Sequence, residues 1–197
     1  MNKDFKKAIN SSIKVKKKLV SLEEKIHLAV KLIYETIKKN NKVFICGNGG
    51  SAADAQHLAA EFLVRLRPNV NRRSYPVVSL AQDTSTITAC GNDLGFENLF
   101  SRNLEGLANR NDLLMALSTS GNSKNILKVL KFSKKIGLKS LALLGNKGGK
   151  AKGIANLDII VPEKNTARIQ ECHIFMGHFI LEQAENLLIK KKLNFYE

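Results

Sequence analysis

The sequence contains no tryptophan, and aromatic residues make up only 6% of it. That leaves little material for a surface that stacks on nucleic-acid bases. Its three cysteines, Cys46, Cys90 and Cys172, have no metal-ligand spacing and cannot all pair within one chain. A disulfide scaffold is therefore excluded, and a reducing compartment is expected. No apolar run approaches the roughly 20 residues that span a bilayer, and no apolar stretch follows the N-terminal lysines as in a secretory signal. A cytoplasmic protein without membrane contact is expected. Acidic residues are also short: 17 Asp and Glu face 32 Lys and Arg, giving a formal charge of +15. Such a field attracts phosphate backbones. The excess, however, is mostly lysine, spread over the surface-type positions of several helices, so specific nucleic-acid binding is not expected. The bland reading is solvated helix faces whose field also draws in small anions.

What is present fits one well-buried α/β domain, with 44% hydrophobic residues in 197. Residues 1–40 carry 11 lysines. Within them Ile26, Ala29, Val30, Ile33, Tyr34 and Ile37 recur at helical spacing. One long or two consecutive amphipathic helices are expected, packing on the domain or on a neighbouring subunit. Residues 41–197 form the main domain.

That domain is organised around residues 43–62. An apolar run, Val43 to Cys46, meets Gly47-Asn48-Gly49-Gly50-Ser51 and then an alanine-rich segment. The pattern reads as buried strand, tight turn and helix. Glycines let the backbone approach a ligand closely, and the new helix points unpaired N–H groups at the turn. His57 and Glu61, four residues apart, share a face of that helix. They can bind a metal, move protons or simply hydrogen-bond. Arg65 would extend the same face by another turn, or lie on the surface.

Further along, Pro76 to Leu80 reads as a second strand, after an irregular loop from Leu66 to Tyr75. Asp83-Thr84 caps a helix to Ala89, Gly91-Asn92-Asp93 interrupts it, and helix resumes from Phe96 to Leu107. Asn92 and Asp93 are turn-formers or hydroxyl ligands. Leu113 to Leu117 is a strand apolar enough to be covered on both faces. Ser118-Thr119-Ser120-Gly121-Asn122-Ser123 then puts four hydroxyls before a helix starting near Lys124. Serines there can cap the helix, or together with its amides bind a phosphate. A helix to Ile136, strands Ser140 to Leu144 and Asp158 to Val161, and a helix from Thr166 to about Lys192 complete the pattern. Five strands alternating with helices make a doubly wound parallel sheet, whose ligands bind beyond the strands' carboxyl ends.

Gly47-Asn48-Gly49-Gly50-Ser51, the His57 and Glu61 pair, Gly91-Asn92-Asp93, the Ser118 to Ser123 segment, and Arg168-Ile169-Gln170-Glu171 with His178 resemble the phosphoheptose isomerases of the sugar isomerase (SIS) domain family. The match runs in order from about Lys42 to His178. The resemblance implies a flavodoxin-like SIS domain with an N-terminal helical extension. It also implies isomerisation of D-sedoheptulose 7-phosphate to D-glycero-D-manno-heptose 7-phosphate for lipopolysaccharide or capsule. By analogy Ser118, Thr119, Ser120 and Ser123 hold the phosphate, and Asn48, Gly49, Gly50, Ser51, Glu61, Asn92, Asp93 and Gln170 bind the substrate. The family's zinc ligands, one ion per subunit, fall on His57, Glu61, Gln170 and His178. Its proton-transfer pair falls on Glu61 and His178, and a homotetramer with shared sites is implied.

Two features bear on that analogy. Gln170 and His178 stand eight residues apart, about 12 Å of helical rise, so sharing one ion needs a bend, side-chain reach or a second subunit. Ala167 replaces an aspartate that some family members carry before the arginine. Glu171 and His173 face solvent or a neighbouring subunit on this reading. The rivals are a non-catalytic SIS adaptor that binds a replication initiator protein, which lacks equivalents of Glu61 and His178, and a sugar-phosphate sensor.

Overall fold

Short runs of β-branched and aliphatic residues form the strands, and the computed structural model, which describes residues 2–190 with side chains from Asp4 onward, assembles five of them into one parallel sheet. They are β1 (Val43–Cys46), β2 (Val77–Ser79), β3 (Leu113–Ser118), β4 (Lys139–Gly145) and β5 (Leu157–Val161), in the spatial order β2-β1-β3-β4-β5. β3 is central and buried along its whole length, as an all-parallel sheet covered on both faces requires. It pairs with β1 from Val43 opposite Leu113 to Cys46 opposite Ala116. The chain leaves β1 toward one edge and β3 toward the other, so the strand order reverses between them. In such a sheet that is where a crevice opens at the carboxyl ends.

The helices are α1 (Asn2–Lys18), α2 (Glu23–Lys38), α3 (Gly50–Leu63), α4 (Thr84–Asp93), α5 (Leu99–Leu107), α6 (Lys124–Lys135) and α7 (Thr166–Lys190). One apolar layer joins α2, α3 and α7 to one sheet face through Ile33, Ile37, Leu58, Phe62, Met176 and Ile180. The other joins α5 and α6 to the opposite face through Phe100, Leu104, Ile126 and Val129. α3 and α6, the helices that follow β1 and β3, therefore lie on opposite faces. The N-terminal segment is two helices joined by a 3-10 turn at Leu19–Leu22, and all six apolar residues expected on the α2 stripe are buried.

Three expectations are corrected or bounded. Gly91-Asn92-Asp93 does not interrupt a helix, because α4 runs through it. The Asp83 side chain caps the start by accepting from the amides of Ser85 and Thr86, and the break comes at Gly95, with φ of 87°. Arg65 does not extend the His57 and Glu61 face, since α3 ends at Leu63 and Arg65 lies exposed in the following loop. The expected end of α7 at Lys192 lies outside the described residues. No helix among the described residues is long and apolar enough to cross a membrane.

The loop between α3 and β2 is irregular, as expected, and is fastened by charge. Arg72 donates to Glu185 on α7 and to the carbonyls of Glu61 and Phe62 at 2.8 and 2.9 Å. Its guanidinium lies 4.6 Å from the Tyr75 ring centroid. Arg67 reaches the other Glu185 oxygen at 2.6 Å, so this buried carboxylate is held by two guanidinium groups. A charge out of water is tolerated only when paired in this way.

Candidate active site

α3 and α7 run side by side in the same direction: Asp54 meets Gln170 and His57 meets His178. Their close approach depends on Gly177, where a Cβ would come within 2.6 Å of Leu58. Of each helix one stripe is apolar and buried, and the polar residues flanking these stripes face each other across the groove. His57, half exposed, and Glu61, mostly buried, come from α3, and His178 comes from α7. Their ligand atoms all lie within 4.8 Å of one another. The Nε2 atoms of His57 and His178 are 2.8 Å apart, and His57 Nε2 is 3.4 Å from Glu61 Oε1.

Only one of two ring nitrogens at that distance can carry a proton along the line between them, so at least one ring presents a lone pair. Burial, reinforced by His57, pushes the His178 imidazole below its ordinary range against the pull of Glu61 and Asp54. The other Glu61 oxygen, Oε2, is buried without a hydrogen-bond partner in the described chain. Two imidazole nitrogens and a carboxylate with an orphaned oxygen match the donor types of catalytic zinc centres, which keep a further position open. A tetrahedral zinc spaces its ligand atoms about 3.4 Å apart, close to the observed separations. The residues present fit the ion that the resemblance implies.

Gln170 stands further toward the start of α3. Its Nε2 donates to Asp54 Oδ1 at 3.2 Å, and its amide lies against the bare Cα of Gly50. Asp54 was not singled out from the sequence. It is buried, its Oδ2 has no partner in the described chain, and burial raises its carboxyl above the ordinary range. Its signal was available, because Asp54 precedes His57 by three residues and Glu61 by seven on one helical face.

On the other side of the crevice, Ser118 is buried and its Oγ accepts from the Gly121 amide at 3.1 Å. Ser120 Oγ likewise accepts from the Asn122 amide at 3.2 Å. Ser123 is the N-cap residue of α6, yet its side chain makes no cap bond. That leaves its hydroxyl and the amides of Lys124 and Asn125 available to a ligand, the Ile126 amide being taken by Asn125 Oδ1; free amides at a helix start favour anions. Thr119 is half-buried beside them. Ser51 is buried at the start of α3, its amide bonded to Asn48 O at 3.0 Å, while Gly49 and Gly50 are exposed.

The side chains of Asn48 and Asn125 bridge the two loops by a reciprocal pair of 2.8 Å hydrogen bonds. Asn92 and Asp93 lie exposed in the last turn of α4, Asn92 Nδ2 donating to Asp93 Oδ1 at 2.7 Å. Glu171 and His173 do not join the cluster. Glu171 accepts from Ser12 Oγ at 2.8 Å and pairs with Arg168, tying α1 to α7. His173, expected to face solvent or a neighbouring subunit, is instead fully buried against the sheet, with Nε2 at 3.1 Å from Leu144 O. The three cysteines are free and buried.

A family model described as the SIS domain matches residues 5–145. A phosphoheptose isomerase of Chlorobaculum parvum is 52% identical over 158 residues, 80% of this chain and 76% of that protein. This chain belongs to the phosphoheptose isomerase family of SIS domains. A Helicobacter pylori member is 46% identical over 171 residues, 87% of this chain and 88% of that protein. Among solved structures, the phosphoheptose isomerase of Francisella tularensis superposes with a TM-score of 0.89 at 31% identity, covering 93% of this chain and 97% of the other. The five-stranded parallel sheet with its flanking helices is thus the SIS fold. The family's aldose-ketose isomerases shift a carbonyl between adjacent carbons, and the crevice here offers a carboxylate, two imidazoles and a hydroxyl-lined helix start for such work.

Proposed function

We propose that this protein interconverts D-sedoheptulose 7-phosphate and D-glycero-D-manno-heptose 7-phosphate in the cytoplasm, supplying heptose for lipopolysaccharide or capsule. The observation that carries the reading is the convergence of Glu61 and His178 from two helices, across the crevice from a loop whose N-cap hydroxyl, Ser123, makes no cap bond. The phosphate sits at Ser118, Thr119, Ser120 and Ser123, where hydroxyls and the α6 amides complement its charge. Asn48, Gly49, Gly50, Ser51, Asn92, Asp93 and Gln170 bind the sugar.

Moving the carbonyl from C2 to C1 requires removal of a proton from C1 and delivery of one to O2, giving an enediol. A proton then returns to C2 while the C1 hydroxyl loses its own. Glu61, with an unpartnered oxygen, suits the carbon-bound proton. His178, held toward its neutral form by burial, suits exchange with the oxygens. His57, Glu61 and His178 would hold one zinc ion per subunit, with Gln170 contributing from the adjoining level. When bound, such an ion polarises the carbonyl and stabilises negative charge on the oxygens. We also propose a homotetramer with shared sites. Phe5, Ile9 and Ile13, exposed at four-residue intervals on α1, and Phe175 on α7 provide an apolar face for a second subunit.

The test is conversion of sedoheptulose 7-phosphate by purified protein beside folded Glu61→Gln and His178→Gln variants. Turnover in wild type, lost by about 100-fold or more in both variants, is expected for an acid–base pair. A well-folded, zinc-loaded wild type that binds the sugar phosphate without turning it over would reverse the reading in favour of a sensor.

A further inference from the structure

The crevice opens where β1 and β3 part company. α3 leaves on one face of the sheet and α6 on the other, so no helix spans the gap between the turn after β1 and the loop after β3. Asn48 and Asn125, 77 residues apart in sequence, close it. Each side-chain amide donates to the other's oxygen at 2.8 Å, and Asn125 is only 2% exposed. A third bond fixes the sense of the pair, because the Ile126 amide donates to Asn125 Oδ1 at 2.9 Å.

That amide needs an acceptor, so the Asn125 oxygen must face α6, and Asn48 must then meet this oxygen with its nitrogen. The Asn48 amide cannot flip without breaking the chain of bonds. One of its two N–H groups is used in the pair. The other N–H remains, together with the second lone pair of Oδ1, for groups outside the pair.

We propose that Asn125 is a positioning residue. It fixes which face of the Asn48 amide the substrate meets, and it sets the spacing between the phosphate end and the sugar end of the site. This rests on the sugar-phosphate isomerase reading above. A sugar hydroxyl then meets the Asn48 amide in one fixed orientation, and the fixed spacing of the two loops favours one substrate length over another. The pair carries the β1–β3 pairing, which ends at Cys46 opposite Ala116, on across the two loops that follow.

The experiment is steady-state kinetics with sedoheptulose 7-phosphate and with ribulose 5-phosphate for wild type, Asn125→Ala, Asn48→Ala and the double variant, with inorganic phosphate as inhibitor. Asn125→Ala is expected to lower kcat for the seven-carbon substrate about tenfold or more, with KM and phosphate inhibition within about threefold. It is also expected to narrow the preference for seven over five carbons. In the double variant, Asn125→Ala should add less than about twofold to the loss from Asn48→Ala, since the two act as a unit. Losses that multiply, or an unchanged Asn125→Ala enzyme, overturn the proposal. If Asn125→Ala does not fold, Asn125→Ser keeps an acceptor for the Ile126 amide but is too short to reach Asn48, and the same outcomes apply. A wild type without turnover overturns the isomerase reading and this proposal with it, and so separates the two failures.

Discussion

The Nε2 atoms of His57 and His178 meet at 2.8 Å, although 121 residues separate them in the chain. With Glu61 beside them, the two rings form a donor set aimed at one point. Calorimetric titration of metal-free protein should find one zinc ion per chain. In a folded His57→Ala variant the affinity should fall by about 100-fold or more, since only two strong ligands remain. Unchanged zinc affinity in that variant would remove the ion from this groove. Chelation of the wild type should abolish turnover, and stoichiometric zinc should restore it.

A methyl group at Gly50 would strike the end of the Gln170 side chain. That amide is flexible and can swing aside at little cost to folding, but it then leaves Asp54 and the crevice. Gly50→Ala should therefore unfold within a few degrees of wild type, yet lose about tenfold or more in kcat/KM. Loss of stability together with activity would show that the turn, and not Gln170, is what the substitution disturbs.

Glu185 is fully buried between Arg67 and Arg72. Arg72→Ala leaves Glu185 with Arg67 alone and strips the carbonyls of Glu61 and Phe62 of their donor, so it should cost about 3 kcal/mol in urea unfolding. Replacing Arg72 and Glu185 together by Met and Leu should cost less than Arg72→Ala alone, because the half-paired buried carboxylate is removed while Arg67, partly exposed, keeps Glu182 and Asn186. A double variant as unstable as the single one would locate the cost in the lost bonds to Glu61 and Phe62.

Burial holds the His173 imidazole down at about 4 from an ordinary 6.5, against a hydrogen bond to Leu144 that favours charge. The unfolded chain therefore binds more protons than the folded one between those values. Stability is fully present above pH 6.5 and declines as pH falls toward 4. The whole shift corresponds to about 3 kcal/mol. Urea unfolding across this window should show that slope in wild type and a flatter one in His173→Leu, whose lower stability at neutral pH reflects the lost hydrogen bond. Equal slopes would assign the acid sensitivity to other groups.

The elements were legible where the sequence carries a strong local period. All five strands lie within a residue or two of their apolar runs, and the α2 stripe is buried as its spacing predicts. The Gly91-Asn92-Asp93 segment misled because turn-forming residues are weak breakers once a capped helix is under way. Asp83 starts α4 firmly, and buried Cys90 anchors its last turn. His57 and Glu61 announce themselves by spacing on one helix. His178 could be attached to them only by resemblance, since no local pattern encodes a meeting across two helices. Asn125 and Glu185 were illegible for the same reason. One reads as a polar residue after a serine-rich loop and the other as a helix-surface acid, until the fold supplies Asn48, Arg67 and Arg72.

α7 reaches the site last in the order of synthesis, yet it contributes His178, Gln170 and the carboxylate that anchors the loop after α3. The loop that ends at Ser123 is synthesised 55 residues before His178. Until α7 docks, the apolar faces of α2 and α3 are uncovered and His57 and Glu61 have no facing helix. Assembly of the groove between α3 and α7 is thereby timed to completion of the core, so no shorter N-terminal piece of the chain brings His57, Glu61 and His178 together.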